Sequence, residues 1–247
     1  MADTLKNKTA LVTGSSRGIG RAIAERLAAD GAAVVINYTR NAAQAQDVVA
    51  GILARGGKAV AIQADVARPA DVRRLFDEAE KALGPLDIVV ANAGVFLKKP
   101  LTESTEEDYN YVFDINSKGV FFTLQEAARR VRDHGRIVAV SSGATKMSFA
   151  EAALYLGSKG AVEQFARVLA RELGPRNITV NVLSPGLTET DMLDGGLDDA
   201  ARAWGASLSP FNRIGTAEEV ADVAAFIASD AARWLTAQEL QAGGGVV

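Results

Sequence analysis

The chain has 247 residues, 48% hydrophobic and 23% charged, with a formal net charge of −3 at pH 7. That length allows one α/β domain with a large core or two small ones, and the charge gives no general reason to expect nucleic acid or an anionic membrane as partner. The absence of cysteine removes disulfides, thiolate nucleophiles and zinc–thiolate sites and suits a reducing cytosol. A single histidine, His134, argues against a histidine triad or a multi-histidine metal site, so no metal is expected. No apolar run approaches about 20 residues, so no membrane span is expected. Residues 1–8 are polar and lack the apolar core of a signal peptide.

Residues 9–13 read as a short buried strand, and 21–29 as a helix. Between them lie Gly14, Gly18 and Gly20. Strand, glycine-rich turn and helix is the context of a phosphate-binding loop. Glycine lets the backbone turn sharply and lets a pyrophosphate approach the N–H groups at the helix start. A merely tight turn would not need three glycines. Residues 32–37 form the second strand. Dinucleotide folds that prefer NAD place an acid near its end, about 20 residues past the glycines. Here the sequence is Tyr38-Thr39-Arg40, with no carboxylate until Asp47. Arg40, joined by Arg17, suits a 2′-phosphate, so NADP(H) is expected over NAD(H).

Residues 41–55 read as a helix stopped by Gly56-Gly57, 58–63 as the third strand, and 69–83 as a helix ended by Gly84-Pro85. Residues 86–91 form the fourth strand. Asp65-Val66 and Asn92-Ala93-Gly94 fall at the carboxyl ends of strands, where parallel sheets bind ligands. Ser104-Thr-Glu-Glu107 has the form of a capping box opening a long helix, which His134-Gly135 ends. Tyr109, Val112, Phe113, Asn116 and Val120 share one face at helical spacing. Asn116 is polar on an apolar stripe, hence a hydrogen-bonded core residue, the ordinary reading, or part of a site. The basic run Arg129, Arg130, Arg132 and Arg136 reads as a solvated helix face, with His134 in it. Residues 136–141 form the fifth strand, with Ser142 at its end.

After a connection over 147–153 comes a helix to Leu173 carrying Tyr155-Leu-Gly-Ser-Lys159. Tyrosine and lysine four apart share one helix face. A phenol with pKa near 10 is a poor acid or base at neutral pH, and a fixed ammonium nearby pulls it down. Alone, such a pair is an ordinary solvated helix face. Residues 177–183 read as the sixth strand, followed by Ser184-Pro185-Gly186. Residues 187–212 are the least regular part; Gly195, Gly196 and Gly205 with Leu187, Met192, Leu193, Leu197 and Trp204 suit a mobile flap over an apolar site. Thr216 caps a helix through Ala228, and 235–241 is a candidate last strand.

The assembled pattern resembles the short-chain dehydrogenase/reductase family over essentially the whole chain, on Thr13-Gly-Ser-Ser-Arg-Gly-Ile-Gly20, Asp65-Val66, Asn92-Ala-Gly94, Asn116, Ser142, Tyr155-x-x-x-Lys159 and Pro185-Gly186 with Thr190. It is most similar to NADPH-dependent 3-oxoacyl-(acyl carrier protein) reductases and related carbonyl reductases. The resemblance implies one α/β domain over 1–247: a single doubly wound parallel sheet (Rossmann fold) of about seven strands with helices on both faces. It implies that Tyr155 protonates a carbonyl oxygen and Ser142 hydrogen-bonds it. Lys159 would lower the Tyr155 pKa and hold the nicotinamide ribose, and Asn116 would anchor a water linking Lys159 to solvent, which moves that residue from core to site. Gly14, Ser16, Arg17, Gly18, Ile19 and Gly20 would hold the pyrophosphate, with Tyr38, Thr39 and Arg40 also at the cofactor. Asp65 and Val66 would face the adenine, Asn92, Ala93 and Gly94 the adenosine ribose, and Pro185, Gly186, Thr188 and Thr190 the nicotinamide. The implied protein is a cytoplasmic homotetramer or homodimer acting on a small molecule. Its reaction would be reduction of a 3-oxoacyl thioester or small ketone, or the reverse. A sugar or polyol dehydrogenase and a non-catalytic cofactor-binding regulator are the alternatives. One departure is the tail Gln241-Ala-Gly-Gly244, where the family carries Asp-Gly-Gly.

Overall fold

The computed structural model describes residues 4–190 and 199–247. Among these residues seven strands form one parallel sheet: β1 (Thr9–Val12), β2 (Ala33–Tyr38), β3 (Lys58–Gln63), β4 (Ile88–Ala91), β5 (Arg136–Val140), β6 (Thr179–Pro185) and β7 (Glu239–Ala242). Their order is β3-β2-β1-β4-β5-β6-β7, so the order reverses at β1 beside β4. The helices are α1 (Gly18–Ala29), α2 (Ala42–Ala54), α3 (Pro69–Leu83), α4 (Glu106–Phe113), α5 (Val120–Arg130), α6 (Ala153–Leu173), α7 (Asp199–Leu208) and α8 (Ala217–Ala228). This is the doubly wound α/β architecture expected from the sequence.

The strands are apolar on both faces because both faces are covered. In β1, Ala10 and Val12 join Ile23 and Leu27 of α1, Val48 and Ile52 of α2 and Ala224 of α8 in one layer. Leu11, with the opposite parity, joins Leu75 and Phe76 of α3, Leu124 of α5 and Val162 and Ala166 of α6 in the other. Helix starts are set by local chemistry. Pro69 occupies the first turn of α3, where its missing N–H costs nothing. Thr216 and Glu219 form a reciprocal capping box on α8.

The structure departs from the sequence reading at several places. The capping box that opens α4 is Thr105 with Asp108, one residue beyond the expected pair. The long helix is not continuous: a π-helical stretch, Asp114–Gly119, separates α4 from α5, which ends at Arg130. Tyr109 therefore lies half exposed, stacked on Phe113, while Val112, Asn116 and Val120 are buried. The sixth strand runs on through Ser184 and Pro185. Residues 199–208, expected to be irregular, are the helix α7, seated where a Cβ on Gly205 would lie 2.4 Å from Leu187 Cδ1. Met192, Leu193, Gly195, Gly196 and Leu197 of the expected flap lie outside the described residues.

Candidate active site

The carboxyl ends of β1, β2 and β4 are tied together beyond their last main-chain pairs. Thr13 Oγ1 accepts from Asn92 N at 3.0 Å and Ala93 N at 3.1 Å. Asn92 Nδ2 donates to Thr13 O at 2.9 Å and Gly14 O at 3.2 Å. Asn37, buried at the end of β2, accepts from Gly14 N through Oδ1 at 3.0 Å and donates to Ala64 O at 3.1 Å. Ser15 Oγ accepts from Asn37 N and donates to Val12 O.

These bonds leave no room for a side chain at Gly14 or Gly20. Gly14 has φ +63°, and a Cβ there would lie 2.9 Å from Ala93 Cα; one on Gly20 would lie 2.4 Å from both Asn92 Nδ2 and Gly14 O. The start of α1 has no side-chain cap and no acid in its first turn. Its first N–H groups and the positive end of its dipole are thus open to an anion. A glycine cradle under an uncapped helix start fits the pyrophosphate of a dinucleotide. Thr190 lies across from it, 3.5 Å from where a Cβ on Gly18 would sit.

Ser142 follows β5 and caps the 3₁₀ turn Gly143–Lys146, its Oγ accepting from Ala144 N. Tyr155 stands in the first turn of α6, with the Phe96 ring edge-on to it at 5.0 Å. Lys159, one turn further, is 3% exposed and donates through Nζ to Val140 O at 2.9 Å. A Cβ on Gly94 would lie 3.2 Å from Lys159 Nζ and 3.3 Å from Asn116 Oδ1. These three residues therefore meet at one point. Asn116 is fully buried in the π-helical stretch; it accepts from Val95 N at 2.8 Å and donates to Val95 O and Ser158 Oγ. Its side chain fastens the segment after Gly94 to α6, so its amide is committed to protein partners.

The electrostatics differ from the sequence expectation. Burial pushes the Tyr155 phenol above its ordinary value, and a hydrogen bond with the Ser142 hydroxyl pulls the other way. Burial also depresses Lys159 from 10.5 to about 8. The ammonium is turned to the Val140 carbonyl and is itself desolvated. In this arrangement Ser142, not Lys159, opposes the rise of the phenol.

The remaining expected cofactor residues also line the carboxyl edge. The Asp65 carboxylate accepts from Ala67 N within its own turn, and Val66 packs on Gly119. Tyr38 ends β2, Thr39 Oγ1 reaches Ala64 O, and Arg40 is exposed just beyond. Pro185 ends β6; Gly186 donates to Ala242 O and faces Gly243 so closely that a Cβ would lie 2.6 Å from its Cα. Thr188 pairs with Gly215.

Residues assigned no role of their own from the sequence hold the site in shape: Thr13 and Ser15 within the glycine motif, Ser158 behind Asn116, and above all Asn37. The available signal was Asn37 itself, a polar residue in an otherwise apolar strand. The basic run lies elsewhere. Arg130 meets Asp77, Glu80 and Glu126, Arg132 meets Asp87, and the buried Arg136 meets Asp230. Arg136 starts β5 and Ser142 follows its end, so the two mark opposite edges of the sheet, about 20 Å apart. Among the described residues no helix is long and apolar enough to cross a membrane, and no group of His, Cys, Asp and Glu could hold a metal ion.

The chain is similar to known proteins over nearly its whole length. A family model described as enoyl-(acyl carrier protein) reductase matches residues 14–247. An uncharacterised oxidoreductase of Methylorubrum extorquens is 44% identical over 244 residues, 98% of this chain and 98% of that protein. The tetrahydroxynaphthalene reductase PfmaG of Pestalotiopsis fici is 40% identical over 253 residues, 97% of this chain and 91% of that protein. The crystal structure of the angucycline C-6 ketoreductase LanV with bound NADP is 39% identical, with a TM-score of 0.93, covering 100% of this chain and 98% of that one.

Proposed function

The chain belongs to the short-chain dehydrogenase/reductase family, and we propose that it reduces a ketone to a secondary alcohol with NADPH. The observation that carries this reading is the placing of Ser142, Tyr155 and Lys159 on the same sheet edge as the glycine cradle, with Lys159 beside Gly94. When bound, the reduced nicotinamide supplies a hydride to the carbonyl carbon. Ser142 donates to the carbonyl oxygen and fixes its position. Tyr155 gives its phenolic proton to that oxygen as negative charge develops there. Burial leaves the phenol protonated at neutral pH, and stabilisation of the phenolate is what makes that proton available for transfer. Lys159, cationic below about pH 8, stabilises the phenolate left behind and holds the nicotinamide ribose. Asn116 keeps the Val95 segment and α6 in register for the water that returns a proton.

Gly14, Ser16, Gly18, Ile19 and Gly20 hold the pyrophosphate in this reading. Asp65 and Val66 meet the adenine, and Asn92, Ala93 and Gly94 the adenosine ribose. Pro185, Gly186, Thr188 and Thr190 meet the nicotinamide. Arg17 and Arg40 meet the 2′-phosphate, beside Tyr38 and Thr39. The NADP bound by the angucycline ketoreductase supports the choice of cofactor, as does the absence of an acid at the end of β2.

For the substrate, the relatives named tetrahydroxynaphthalene reductase and angucycline C-6 ketoreductase favour a ring ketone over a thioester on an acyl carrier protein. Phe96, edge-on to Tyr155, supplies an aromatic wall beside the proton donor. An acidic carrier protein requires a cationic mouth, whereas Arg130, Arg132 and Arg136 face acids at the far edge. Steady-state turnover of NADPH and NADH with an aryl ring ketone and an acetoacetyl thioester tests the reading. Ring-ketone reduction with NADPH supports it, and faster thioester reduction reverses the substrate choice. Tight NADPH binding with no turnover of any carbonyl moves the protein to the regulatory class. The family resemblance also supports a cytoplasmic homotetramer or homodimer, which light scattering tests.

A further inference from the structure

Beneath Ser142 lies a second polar cluster that proton and hydride delivery do not use. Lys146 closes the turn that Ser142 caps. Its Nζ is 2.7 Å from Glu239 Oε2 on β7 and 3.3 Å from Glu163 Oε2 on α6. Both carboxylates are withdrawn from water, with side chains 12% and 8% exposed. Charges so placed persist only when paired and hydrogen-bonded. The partners are present: Glu163 Oε1 accepts from Ser141 Oγ at 2.9 Å, and Glu239 Oε1 from Ser184 Oγ and Gln241 Nε2 at 2.9 Å each.

We propose that Glu163, Lys146 and Glu239 form a clamp that sets the distance between Ser142 and the Tyr155–Lys159 face of α6. Glu163 stands one helical turn beyond Lys159. It grips the residue before Ser142 through Ser141 and the end of the following turn through Lys146. Ser142 is therefore held to α6 from both sides. The turn's internal bonds, from Thr145 N and Oγ1 to Ser142 O, run within it and cannot set that distance. The connection beyond is poorly suited to the task. Residues 148–151 are mostly exposed, and Ser148 and Glu151 hold left-handed φ values of +56° and +66°. Glu239 extends the clamp to β7, so the tail strand braces the catalytic serine. Lys146, Glu163 and Glu239 are positioning residues, since none of them reaches the reacting atoms.

This inference rests on the ketoreductase reading, and its test separates the two. Lys146→Met, Glu239→Gln and the conservative Lys146→Arg are compared with wild type in three ways: ketone kcat and KM, NADPH affinity by fluorescence, and amide exchange over residues 142–148. Lys146→Met is expected to lower kcat by roughly 10- to 100-fold, as small misplacements of catalytic groups do. KM and NADPH affinity stay within about twofold, exchange over 142–148 quickens, and Lys146→Arg recovers most of the loss. Glu239→Gln, which preserves shape, repeats the effect in weaker form. Unchanged kcat, or a loss shared equally by NADPH affinity and by exchange across the whole sheet, overturns the clamp. If wild type reduces no ketone, the ketoreductase reading falls alone. The exchange measurement then decides the clamp, which stands if 142–148 loosens in Lys146→Met and falls if it does not.

Discussion

Lys159 is a cation that the fold holds at a cost. Its side chain is 3% exposed, and burial lowers its pKa from 10.5 to about 8. A depression of that size corresponds to about 3 kcal/mol by which the folded interior disfavours the charged form. Above pH 8 the folded chain has released this proton, while the unfolded chain keeps it until about pH 10.5. Across that window the unfolded state binds more protons, so stability rises with pH, at most by about 1.4 kcal/mol per pH unit. The contribution is fully present above the unfolded value and is lost as pH falls through about 8. Lys159→Met removes it. In denaturant titrations of the ligand-free protein from pH 7 to 10.5, wild type should gain about 3 kcal/mol on the variant, equivalent to roughly 6–12 °C in Tm for a chain of this size. Using the swing rather than the value at one pH removes the constant cost of leaving the Val140 carbonyl without its 2.9 Å donor. Parallel pH profiles would refute the reasoning, because they would mean that Lys159 titrates alike in both states.

Tyr155→Phe is expected to lower ketone reduction by about 10²- to 10⁴-fold with NADPH affinity retained, measured by NADPH oxidation beside fluorescence titration; full activity would remove Tyr155 as the acid. Gly20→Ala places a Cβ 2.4 Å from Asn92 Nδ2 and Gly14 O, so it should cost about 1–3 kcal/mol in denaturant and weaken NADPH binding at least tenfold. Asn37→Asp keeps the acceptor for Gly14 N but sets a carboxylate oxygen against Ala64 O in a buried position. It should destabilise the fold by about 2 kcal/mol or more at pH 7, and less at pH 4.5 as the carboxyl takes up a proton, which thermal melts at the two pH values would read.

The parts of this molecule that were legible in the sequence are those set by local rules. β1, the glycine turn and α1 follow from an apolar run, the glycines at 14, 18 and 20 and helical spacing, all between Thr9 and Ala29. The parts that were not legible depend on partners far along the chain. The π-helical stretch at Asn116 is held by Val95 and Ser158, 21 and 42 residues away, and periodicity alone continues the helix straight through. The arginine run is neutralised by acids as distant as Asp230 on the chain; counting charges along the chain does not reveal that pairing. α7 was missed because Gly205 interrupts its pattern, and the glycine is there to admit Leu187.

Asn37 and Asn116 share one physical logic. A parallel sheet stops pairing its own backbone at the carboxyl ends of its strands, and the orphaned N–H and C=O groups there must be satisfied by something other than the next strand. Here short polar side chains do it: Thr13 for the Asn92 and Ala93 amides, Asn37 for Gly14 and Ala64, Asn116 for both groups of Val95. Because these bonds are direct, the loops lie too close together for side chains, which is why glycine or a small residue stands at 14, 20, 93 and 94. The glycines that read as a ligand motif are thus equally a consequence of how the sheet edge is closed. What marks the edge as a site in the proposed reading is the part that this closure leaves open or desolvated: the uncapped start of α1, the buried ammonium of Lys159 and the half-buried phenol of Tyr155. Sheet closure needs neither the open helix start nor the phenol, and of the ammonium only its bond to Val140 O; in the proposed reaction a dinucleotide with a ketone beside it uses all three.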